Sequence, residues 1–192
     1  EGARVVIADL DVEAGASLAA ELGPSTLFKR TDVADADQIQ AAVDVAVSHF
    51  GGLHVMCNNA GIGGSLKPFL DDDLADFDRV MAVNIKSAYL TCHHVLPVMM
   101  RQQSGAIVNN ASVAVRGWAG VNYGFYAASK GAMVAMTRTM AIRHAPDGIR
   151  ANCVLPGLMN TPLVHAALTR VYGEEGDIDN LIRTRDAQCP LG

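Results

Sequence analysis

Short apolar segments of strand length alternate with longer amphipathic segments of helix length along the whole chain. The strand-like segments cover residues 4–8, 26–30, 53–57, 106–111 and 149–155. The helix-like segments cover residues 12–22, 39–50, 76–100 and 127–145. Because strands that are apolar on both faces need helices on both sides, this order predicts an α/β fold. The expected architecture is a doubly wound parallel sheet of the Rossmann type, in a single domain over residues 1–192.

Glycine and proline mark the expected ends of the helices. Gly23 and Pro24 close the first helix, and Gly51 closes the second. Pro97 lies inside the long segment 76–100, and we expect it to bend or interrupt the last part of that helix.

Composition excludes several classes of function. Half of the 192 residues are hydrophobic and 18% are charged, which is typical of a globular domain. The formal net charge of -5 disfavours nucleic acid and anionic membrane surfaces as partners. The longest apolar runs have strand length, so no membrane span is expected. The four cysteines are widely spaced and the six histidines lack ligand spacing. Buried free thiols in a reducing cytoplasm are therefore favoured over disulfides or a metal site.

Tyr126 and Lys130 are four residues apart at the start of a helix rich in small residues. At that spacing the two side chains share one helix face, one turn apart. Ser112 ends the preceding apolar strand, which points at the same edge of the sheet. Such a pair, or a lone serine at a strand end, often occurs by chance. Together, a phenol, an ammonium and a hydroxyl outline a proton-transfer site.

Asn84 is the one polar residue in an otherwise apolar helix stripe. The stripe consists of Phe77, Val80, Met81, Asn84, Ala88, Cys92 and Val95. A buried amide must be hydrogen-bonded, because an unsatisfied one costs about 1–3 kcal/mol. Asn84 is therefore expected to cap a local distortion of the helix or to hold water in a polar site, and both can be true.

Polar and small residues also follow the other strands. Asp9 can hydrogen-bond the ribose of an adenine dinucleotide and repel a 2′-phosphate; a helix N-cap is the alternative, which Asp11 fits better. The segment Asn58-Asn59-Ala60-Gly61 can support a cofactor or can be only a turn. After Pro156-Gly157 turns the chain, Thr161 can meet a ligand amide or belong to a plain loop.

Taken together, these residues resemble the short-chain dehydrogenase/reductase family. Seven motifs occur in the same order as in the family and cover nearly the whole chain. Their combination is far more specific than any one of them. The motifs are Asp9, Asp32-Val33, Asn58-Asn59-Ala60-Gly61, Asn84, Ser112, Tyr126-x-x-x-Lys130 and Pro156-Gly157-x-x-x-Thr161.

The resemblance implies roles for these residues. The catalytic tetrad would be Asn84, Ser112, Tyr126 and Lys130. The residues that hold NAD would be Asp9, Asp32, Val33, Asn59, Ala60, Gly61, Tyr126, Lys130, Pro156, Gly157 and Thr161. Within that set, Asp32 and Val33 would flank the adenine, and Thr161 would contact the nicotinamide carboxamide. Residues 157–192 would form the variable substrate lid.

The family commonly forms tetramers through its long helices. A small-residue face on the helix after Tyr126 would permit such close packing, so a homo-oligomer, tetramer or dimer, is expected. That face consists of Ala127, Ala128, Gly131, Ala132 and Ala135.

The resemblance also implies parts that the 192 residues lack. The family opens with a strand, a glycine-rich loop and a helix whose backbone amides receive the pyrophosphate, and it closes with a further strand. The chain therefore reads as an internal fragment of a longer enzyme. The first strand would belong at the middle of the sheet, beside the strands that end at Asp9 and Asn58. Two strand edges would then be unpaired, and reduced or no activity is expected from these residues alone.

The implied function is hydride transfer between NAD(H) and a secondary alcohol or ketone, with Tyr126 as general acid and base. An ammonium about 4–5 Å from the phenol contributes at most 3–4 kcal/mol at an effective dielectric of ~20. Lys130 is therefore expected to lower the pKa of Tyr126 before desolvation opposes it. Ser112 would hydrogen-bond the substrate oxygen, and Asn84 would hold a water linked to Lys130.

Two alternatives stay open. One is a truncated, non-catalytic fragment that binds no cofactor, and the other is an NADPH-dependent carbonyl reductase of the 3-oxoacyl type, which Asp9 disfavours. The substrate is a small molecule whose identity the residues do not separate among sugars, steroids, terpenoids and acyl chains. The expected apolar pocket is lined by Val113, Ala114, Trp118, Tyr123, Leu158 and Met159.

Overall fold

The computed structural model describes residues 2–117, 123–157, 159, 161–162, 164–165, 169, 177, 179–180 and 182–183. Strands and helices alternate through these residues, as predicted. The strands are β1 (Val5–Asp9), β2 (Thr26–Arg30), β3 (Val55–Asn58), β4 (Gly105–Asn110) and β5 (Ile149–Val154). The α-helices are α1 (Val12–Leu22), α2 (Ala36–Phe50), α3 (Leu74–Met81), α4 (Ser87–Gln102) and α5 (Gly124–His144).

The strands pair in parallel, which confirms the predicted strand direction. β1 pairs with β2 from Val5–Thr26 to Asp9–Arg30. The order β3-β4-β5 forms a second, three-stranded sheet. Within the described residues, no strand pairing joins β1 to β3, so the doubly wound plan is divided into two sheets. The division lies between the strands ending at Asp9 and Asn58, where the resemblance places an additional strand.

Side-chain caps explain where the first two helices begin and end. The Asp11 carboxylate accepts the Ala14 N–H at 2.9 Å and caps α1, so the capping role falls to Asp11 rather than Asp9. The Asp35 side chain caps α2 in the same way. Gly51 adopts a φ of +81°, which ends α2 at little steric cost.

The irregularity in the predicted helix 76–100 does not lie at Pro97. The helical stretch begins at Leu74, and α4 continues through Pro97 to Gln102. The helical stretch from Leu74 to Gln102 instead departs from α-helical geometry at a π-helical turn, Ala82–Lys86. The expectation of an interruption at Pro97 was therefore wrong. Pro97 lies on the exposed side of α4, where a carbonyl that lacks its helical partner can be hydrated.

The main core lies between the three-stranded sheet and helices α2 and α4. Val95, Met99 and Ile107 are fully buried there and pack with Val43 and Ile149. Such burial stabilises the fold by roughly 1.5–3 kcal/mol for each large side chain. This packing holds β4, the strand that leads to Ser112, in the middle of its sheet.

A second cluster fixes α5 against the same sheet. It joins Ala88 on α4, Ala111 after β4 and Met133 on α5. Because α5 carries Tyr126 and Lys130, this contact fixes the position of both side chains relative to the strand ends.

The cysteines of the described residues only partly follow the prediction. Cys57, Cys92 and Cys153 are free thiols. Cys92 is buried, whereas Cys57 is exposed, so the expectation of burial was wrong for Cys57. The physical reason is that β3 is an edge strand among the described residues. Cys189 lies outside the described residues.

In the part of the chain that the structure describes, every helix is too short or too polar to cross a bilayer.

Candidate active site

The carboxyl ends of β3, β4 and β5 meet at one edge of their sheet because the three strands are parallel. Two backbone hydrogen bonds extend the pairing of β4 and β5 beyond the strands themselves. The Ala111 N–H donates to the Val154 carbonyl at 2.9 Å, and the Val113 N–H donates to the Pro156 carbonyl at 3.0 Å. Ser112 lies between these two bonds and is held at the sheet edge.

Ser112 and Tyr126 are brought together as predicted. The Ser112 Oγ accepts the Ala114 N–H at 3.1 Å, which fixes the serine at the start of a short 3₁₀ turn. Its side chain is also hydrogen-bonded to that of Tyr126, in the first turn of α5. The strand end thus presents a hydroxyl to the phenol.

Burial sets the pKa of Tyr126 in this structure. Desolvation raises that pKa above its usual value, the hydrogen bond from Ser112 opposes the rise, and Tyr123 adds to it. The expected lowering by Lys130 was therefore wrong for the chain by itself. Lys130 Nζ lies 5.9 Å from the centre of the Tyr126 ring, and it donates to the Asn110 carbonyl at 2.7 Å.

Lys130 is itself almost fully buried, at 4% exposure. Burial lowers the pKa of its ammonium, and the nearby Cys153 opposes that change. An ammonium in this position needs a hydrogen-bond acceptor, and the Asn110 carbonyl provides one.

Asn84 confirms the prediction of a local helix distortion. It is fully buried at the centre of the π-helical turn. Its side-chain Oδ1 accepts the Ile62 N–H at 2.8 Å, while Nδ2 donates to the Ile62 carbonyl at 2.9 Å and to Ser129 Oγ at 3.1 Å. The amide therefore ties the loop after β3 to both α4 and α5. Its predicted role in holding a water stays a prediction.

The segment after β3 passes close to the buried groups. A Cβ at Gly61 would lie 3.2 Å from Lys130 Nζ and 3.3 Å from Asn84 Oδ1. The absence of a side chain at Gly61 therefore lets the backbone approach both groups. Asn59, one residue beyond β3, accepts a hydrogen bond from Asn110 Nδ2 at 2.7 Å. Ala60 lies between them and is exposed.

Asp9 and the pair Asp32-Val33 lie together at the ends of β1 and β2. The Asp9 carbonyl accepts the Thr31 N–H at 2.9 Å, which places the two strand ends side by side. The exposed Asp9 carboxylate accepts the Asp11 N–H at 3.0 Å. The Asp32 carboxylate accepts the Ala34 N–H at 2.9 Å. Both carboxylates are thus oriented by backbone donors of their own loops.

The remaining predicted positions lie beyond β5. The Thr161 carbonyl accepts the Val164 and His165 N–H groups at 3.0 Å, so Thr161 begins a helical turn. Its contact with a carboxamide stays a prediction. Of the expected apolar pocket, Val113 is 40% and Met159 57% exposed, whereas Ala114 is buried. Trp118, Leu158 and most of the predicted lid at 157–192 lie outside the described residues.

Sequence reasoning assigned no role to the asparagines of β4. Asn109 is fully buried; its Oδ1 accepts from Asn58 Nδ2 and its Nδ2 donates to Thr137 Oγ1, both at 2.8 Å. Asn110 faces the opposite side and contacts Asn59. The signal that could have found them is the doubled Asn-Asn at the ends of both β3 and β4.

Within the described residues, no group of three or more His, Cys, Asp or Glu side chains could hold a metal ion.

Comparison with known proteins gives the same assignment as the motifs. The profile of a family described as enoyl-(acyl carrier protein) reductase matches residues 1–184. The chain is 44% identical over 169 residues to the sex determination protein tasselseed-2 of Zea mays, covering 85% of this chain and 50% of that protein. It is 39% identical over 163 residues to the mitochondrial borneol dehydrogenase of Lavandula x intermedia, covering 84% and 62%.

A solved structure shows the same fold. The 3-ketoacyl-(acyl-carrier-protein) reductase of Brucella melitensis, complexed with NADH, superposes with a TM-score of 0.82 at 33% identity. The match covers 85% of this chain and 68% of that one. The chain thus spans about half to two thirds of the length of these relatives. The family match over residues 1–184 and the similarity to these relatives show that the chain belongs to the short-chain dehydrogenase/reductase family.

Proposed function

We propose that the protein containing this chain transfers a hydride between NAD(H) and a secondary alcohol or ketone, with Tyr126 as general acid and base. The observation that carries the proposal is the hydrogen bond between the Ser112 and Tyr126 side chains, with Lys130 one helical turn further on. A hydroxyl beside a half-buried phenol, at the carboxyl edge of a parallel sheet, is suited to exchanging a proton with a substrate oxygen.

The residues around this hydroxyl pair fit a dinucleotide. The backbone at Gly61 approaches Lys130 Nζ and Asn84 Oδ1 so closely that a Cβ would crowd both groups. An exposed carboxylate, Asp9, stands at the end of the neighbouring two-stranded sheet. The cofactor would accept the hydride in oxidation and donate it in reduction. The residues proposed to hold it are Asp9, Asp32, Val33, Asn59, Ala60, Gly61, Tyr126, Lys130, Pro156, Gly157 and Thr161.

The protein's own part of the chemistry is proton transfer. Tyr126 removes the hydroxyl proton of an alcohol in oxidation and returns it in reduction. Ser112 donates a hydrogen bond to the substrate oxygen and stabilises the negative charge that develops on it. Lys130 supplies a fixed positive charge on the same helix face, and Asn84 holds the loop at Ile62 against α5.

A preference for NAD over NADP follows from Asp9. Its carboxylate is exposed and would repel a 2′-phosphate while accepting hydrogen bonds from ribose hydroxyls. Asp11 caps α1, so Asp9 is not needed for that purpose. This argument disfavours the NADPH-dependent reductase of the 3-oxoacyl type. The similar Brucella melitensis protein is complexed with NADH, which agrees with the preference.

The experiment is a spectrophotometric assay of the full-length protein with cyclohexanol, borneol and a hydroxysteroid, each with NAD⁺ or NADP⁺. We expect reduced cofactor to form with at least one alcohol, and faster with NAD⁺. Asp9→Ser should reduce the ratio of kcat/KM with NAD⁺ to kcat/KM with NADP⁺ by about tenfold, since a charged hydrogen-bond acceptor is lost.

Asp11→Ser is the matched control, because it changes a neighbouring carboxylate and should leave the ratio unchanged. A stable full-length protein that oxidises no alcohol and reduces no ketone would favour the alternative of a non-catalytic protein. A preference for NADP⁺ would contradict the role of Asp9.

We further propose that the protein is a homo-oligomer, tetramer or dimer, that packs through α4 and α5. An open groove of about 680 Å³ runs between α5 and the stretch from the end of α3 through the π-helical turn to the start of α4. Its lining includes Ile85, Tyr89, Ala132 and Met136, together with the charged residues Asp78 and Lys86. Tyr89 is 59% exposed, and Ile142 further along α5 is 79% exposed. Exposed apolar area beside a small-residue helix face is suited to close packing against a second copy. A cytoplasmic location stays a prediction.

A further inference from the structure

The doubled asparagines at the ends of β3 and β4 form two side-by-side amide pairs. Asn58 and Asn109 pair at 2.8 Å on the side that faces α5, where Asn109 also contacts Thr137. Asn59 and Asn110 pair at 2.7 Å on the opposite side. The first pair is buried, and both side-chain atoms of Asn109 are hydrogen-bonded, so packing and hydrogen bonding account for it. The second pair lies beside the proposed active site and needs another explanation.

Asn110 contacts both halves of that site. Its side chain donates to Asn59 Oδ1, in the segment proposed to support the cofactor. Its main-chain carbonyl accepts from Lys130 Nζ at 2.7 Å, which holds the ammonium close to Gly61. A single residue therefore sets the position of the Asn59–Gly61 segment relative to the lysine.

The side-chain oxygen of Asn110 differs from the side-chain nitrogen in its hydrogen bonding. Its Oδ1 is buried and has no hydrogen-bond partner among the described residues. Leaving a buried acceptor unpaired costs about 1–3 kcal/mol, and native proteins rarely retain such an atom without a reason. A bound molecule with a hydroxyl or an amide N–H at this point would supply the missing donor.

We infer that Asn110 is a cofactor-positioning residue, which fixes the Asn59–Gly61 segment through Nδ2 and accepts a hydrogen bond from the bound dinucleotide through Oδ1. The inference rests on the proposed function, because it needs a dinucleotide in the site. It adds a residue that neither the tetrad nor the proposed cofactor set contains. It also gives the repeated Asn-Asn pattern two distinct roles, one in packing and one in binding.

The test is calorimetric titration of the full-length protein with NAD⁺, which measures binding without turnover. Asn110→Leu is nearly isosteric and removes both side-chain hydrogen bonds. We expect it to weaken NAD⁺ binding about tenfold, as the loss of uncharged hydrogen bonds predicts. The KM for NAD⁺ should rise to the same extent, while kcat at saturating NAD⁺ changes less, because the main-chain carbonyl still holds Lys130.

Three comparisons sharpen the result. Asn152→Leu makes the same change at an exposed position on the neighbouring strand β5 and should leave NAD⁺ binding unchanged. Asn110→Ser is smaller than asparagine, cannot overfill the site, and should weaken binding as Asn110→Leu does. Asn59→Ala removes the other partner, so its effect should be less than additive with Asn110→Leu.

The outcomes separate this inference from the proposed function. If the wild-type protein binds NAD⁺ and both Asn110 variants bind it equally well, the positioning role is wrong and the proposed function stands. If the variants lose stability in urea but the folded protein keeps its NAD⁺ affinity, Asn110 is only structural and the inference is overturned. If the wild-type protein binds neither NAD⁺ nor NADH, the proposed function and the inference both fail.

Discussion

Tyr126 can act as an acid and a base only if its hydroxyl exchanges a proton with the substrate. We expect Tyr126→Phe in the full-length protein to lower kcat by at least 10²–10⁴-fold, the usual contribution of a general acid or base, since phenylalanine has no exchangeable proton. NAD⁺ affinity should change far less than kcat, because the other residues proposed to hold the cofactor remain in place. Steady-state kinetics and calorimetry measure the two effects separately.

Tyr123→Phe is the control for this change. Tyr123 lies in the same segment and in the expected substrate pocket, with its ring centre 5.6 Å from that of Tyr126, but it has no proposed role in proton transfer. Tyr123→Phe should therefore lower kcat far less than Tyr126→Phe does. Near-normal turnover by Tyr126→Phe would contradict the assignment of the base.

Ser112 should set the pH range in which Tyr126 works. Its hydrogen bond lowers the pKa of Tyr126, against the larger effect of burial. Replacing Ser112 with alanine removes that bond, so the pKa rises further and less phenolate is present at a given pH. The rising limb of the kcat/KM profile for alcohol oxidation should therefore shift to higher pH. The rate should fall roughly 10²–10³-fold because a donor to the substrate oxygen is lost.

The pH profile of Ser112→Thr separates the two effects. Threonine keeps the hydroxyl, so the inflection should stay close to that of the wild-type protein. An inflection that stays in place or moves to lower pH in Ser112→Ala would show that the serine does not tune the phenol.

For individual residues, the sequence predicted which side chains lie close together but not the direction in which the pKa of Tyr126 changes. Spacing on a helix places Tyr126 and Lys130 on one face, and a strand end brings Ser112 to them. The direction of the pKa change depends on burial, which spacing does not reveal. Asn110 was missed for a related reason: an amide at a strand end is usually a turn residue, and its partner is far away in the sequence.

The loop between β3 and α3 is held by side chains from two helices. Asn84 fixes it at Ile62, and the Asp76 carboxylate accepts the Ser65 N–H at 2.7 Å. Gly64, between these points, has a φ of +69°, and a Cβ there would lie 2.6 Å from Val80 and 2.7 Å from Phe125. The loop can therefore pack this closely only with glycine at that position.

Gly64→Ala should destabilise the fold by about 1–3 kcal/mol, because it combines an unfavourable backbone conformation with overpacking. The measurement is the midpoint of urea unfolding. Gly63→Ala is the matched control, since a Cβ at Gly63 would meet nothing within 4 Å and its φ is not positive. Equal stability of the two variants would show that the loop relaxes to admit a side chain.

The bounds of helices and strands were predicted well where capping residues and glycines mark them. The bounds of α1 and β2 agree with the predicted residues because capping and glycine signals flank them. A helix distortion at Asn84 was predicted, but its π-helical form over Ala82–Lys86 was not, because this turn accompanies the bonds from Asn84 to Ile62 and Ser129. Those partners lie outside the helix, and periodicity within it cannot show them.

The whole molecule presents a mostly apolar groove between α5 and the stretch from α3 to the start of α4, and a second copy is proposed to cover it. Ala132→Glu places a charge in the lining of this groove. We expect the oligomer to dissociate to smaller species, because a buried unpaired charge costs several kcal/mol. Light scattering after size-exclusion chromatography measures the mass directly.

Ala20→Glu is the control for that change, since Ala20 is an exposed alanine on α1, away from the groove. It should leave the mass unchanged. An oligomer that survives Ala132→Glu would show that subunits meet on another surface.

The fold class and the strand directions were predictable from the alternation of apolar and amphipathic segments. The division into two sheets was expected from the resemblance, which places a further strand between the ends of β1 and β3. The hydrophobic pattern of each strand does not show the division into two sheets. That pattern is the same whether or not a neighbouring strand is present.

The division into two sheets also separates two properties of the molecule. The sheet of β1 and β2 carries Asp9 and leads to Asp32, whereas the sheet of β3, β4 and β5 leads to Ser112 and supports α5. No strand pairing couples them within the described residues. Under the role proposed for Asp9, sequence change in residues 5–33 would alter which dinucleotide is favoured and would leave the Ser112–Tyr126 hydrogen bond in place. For an evolving lineage, or for a protein engineer, cofactor preference is then a trait that can be exchanged while the chemistry is kept.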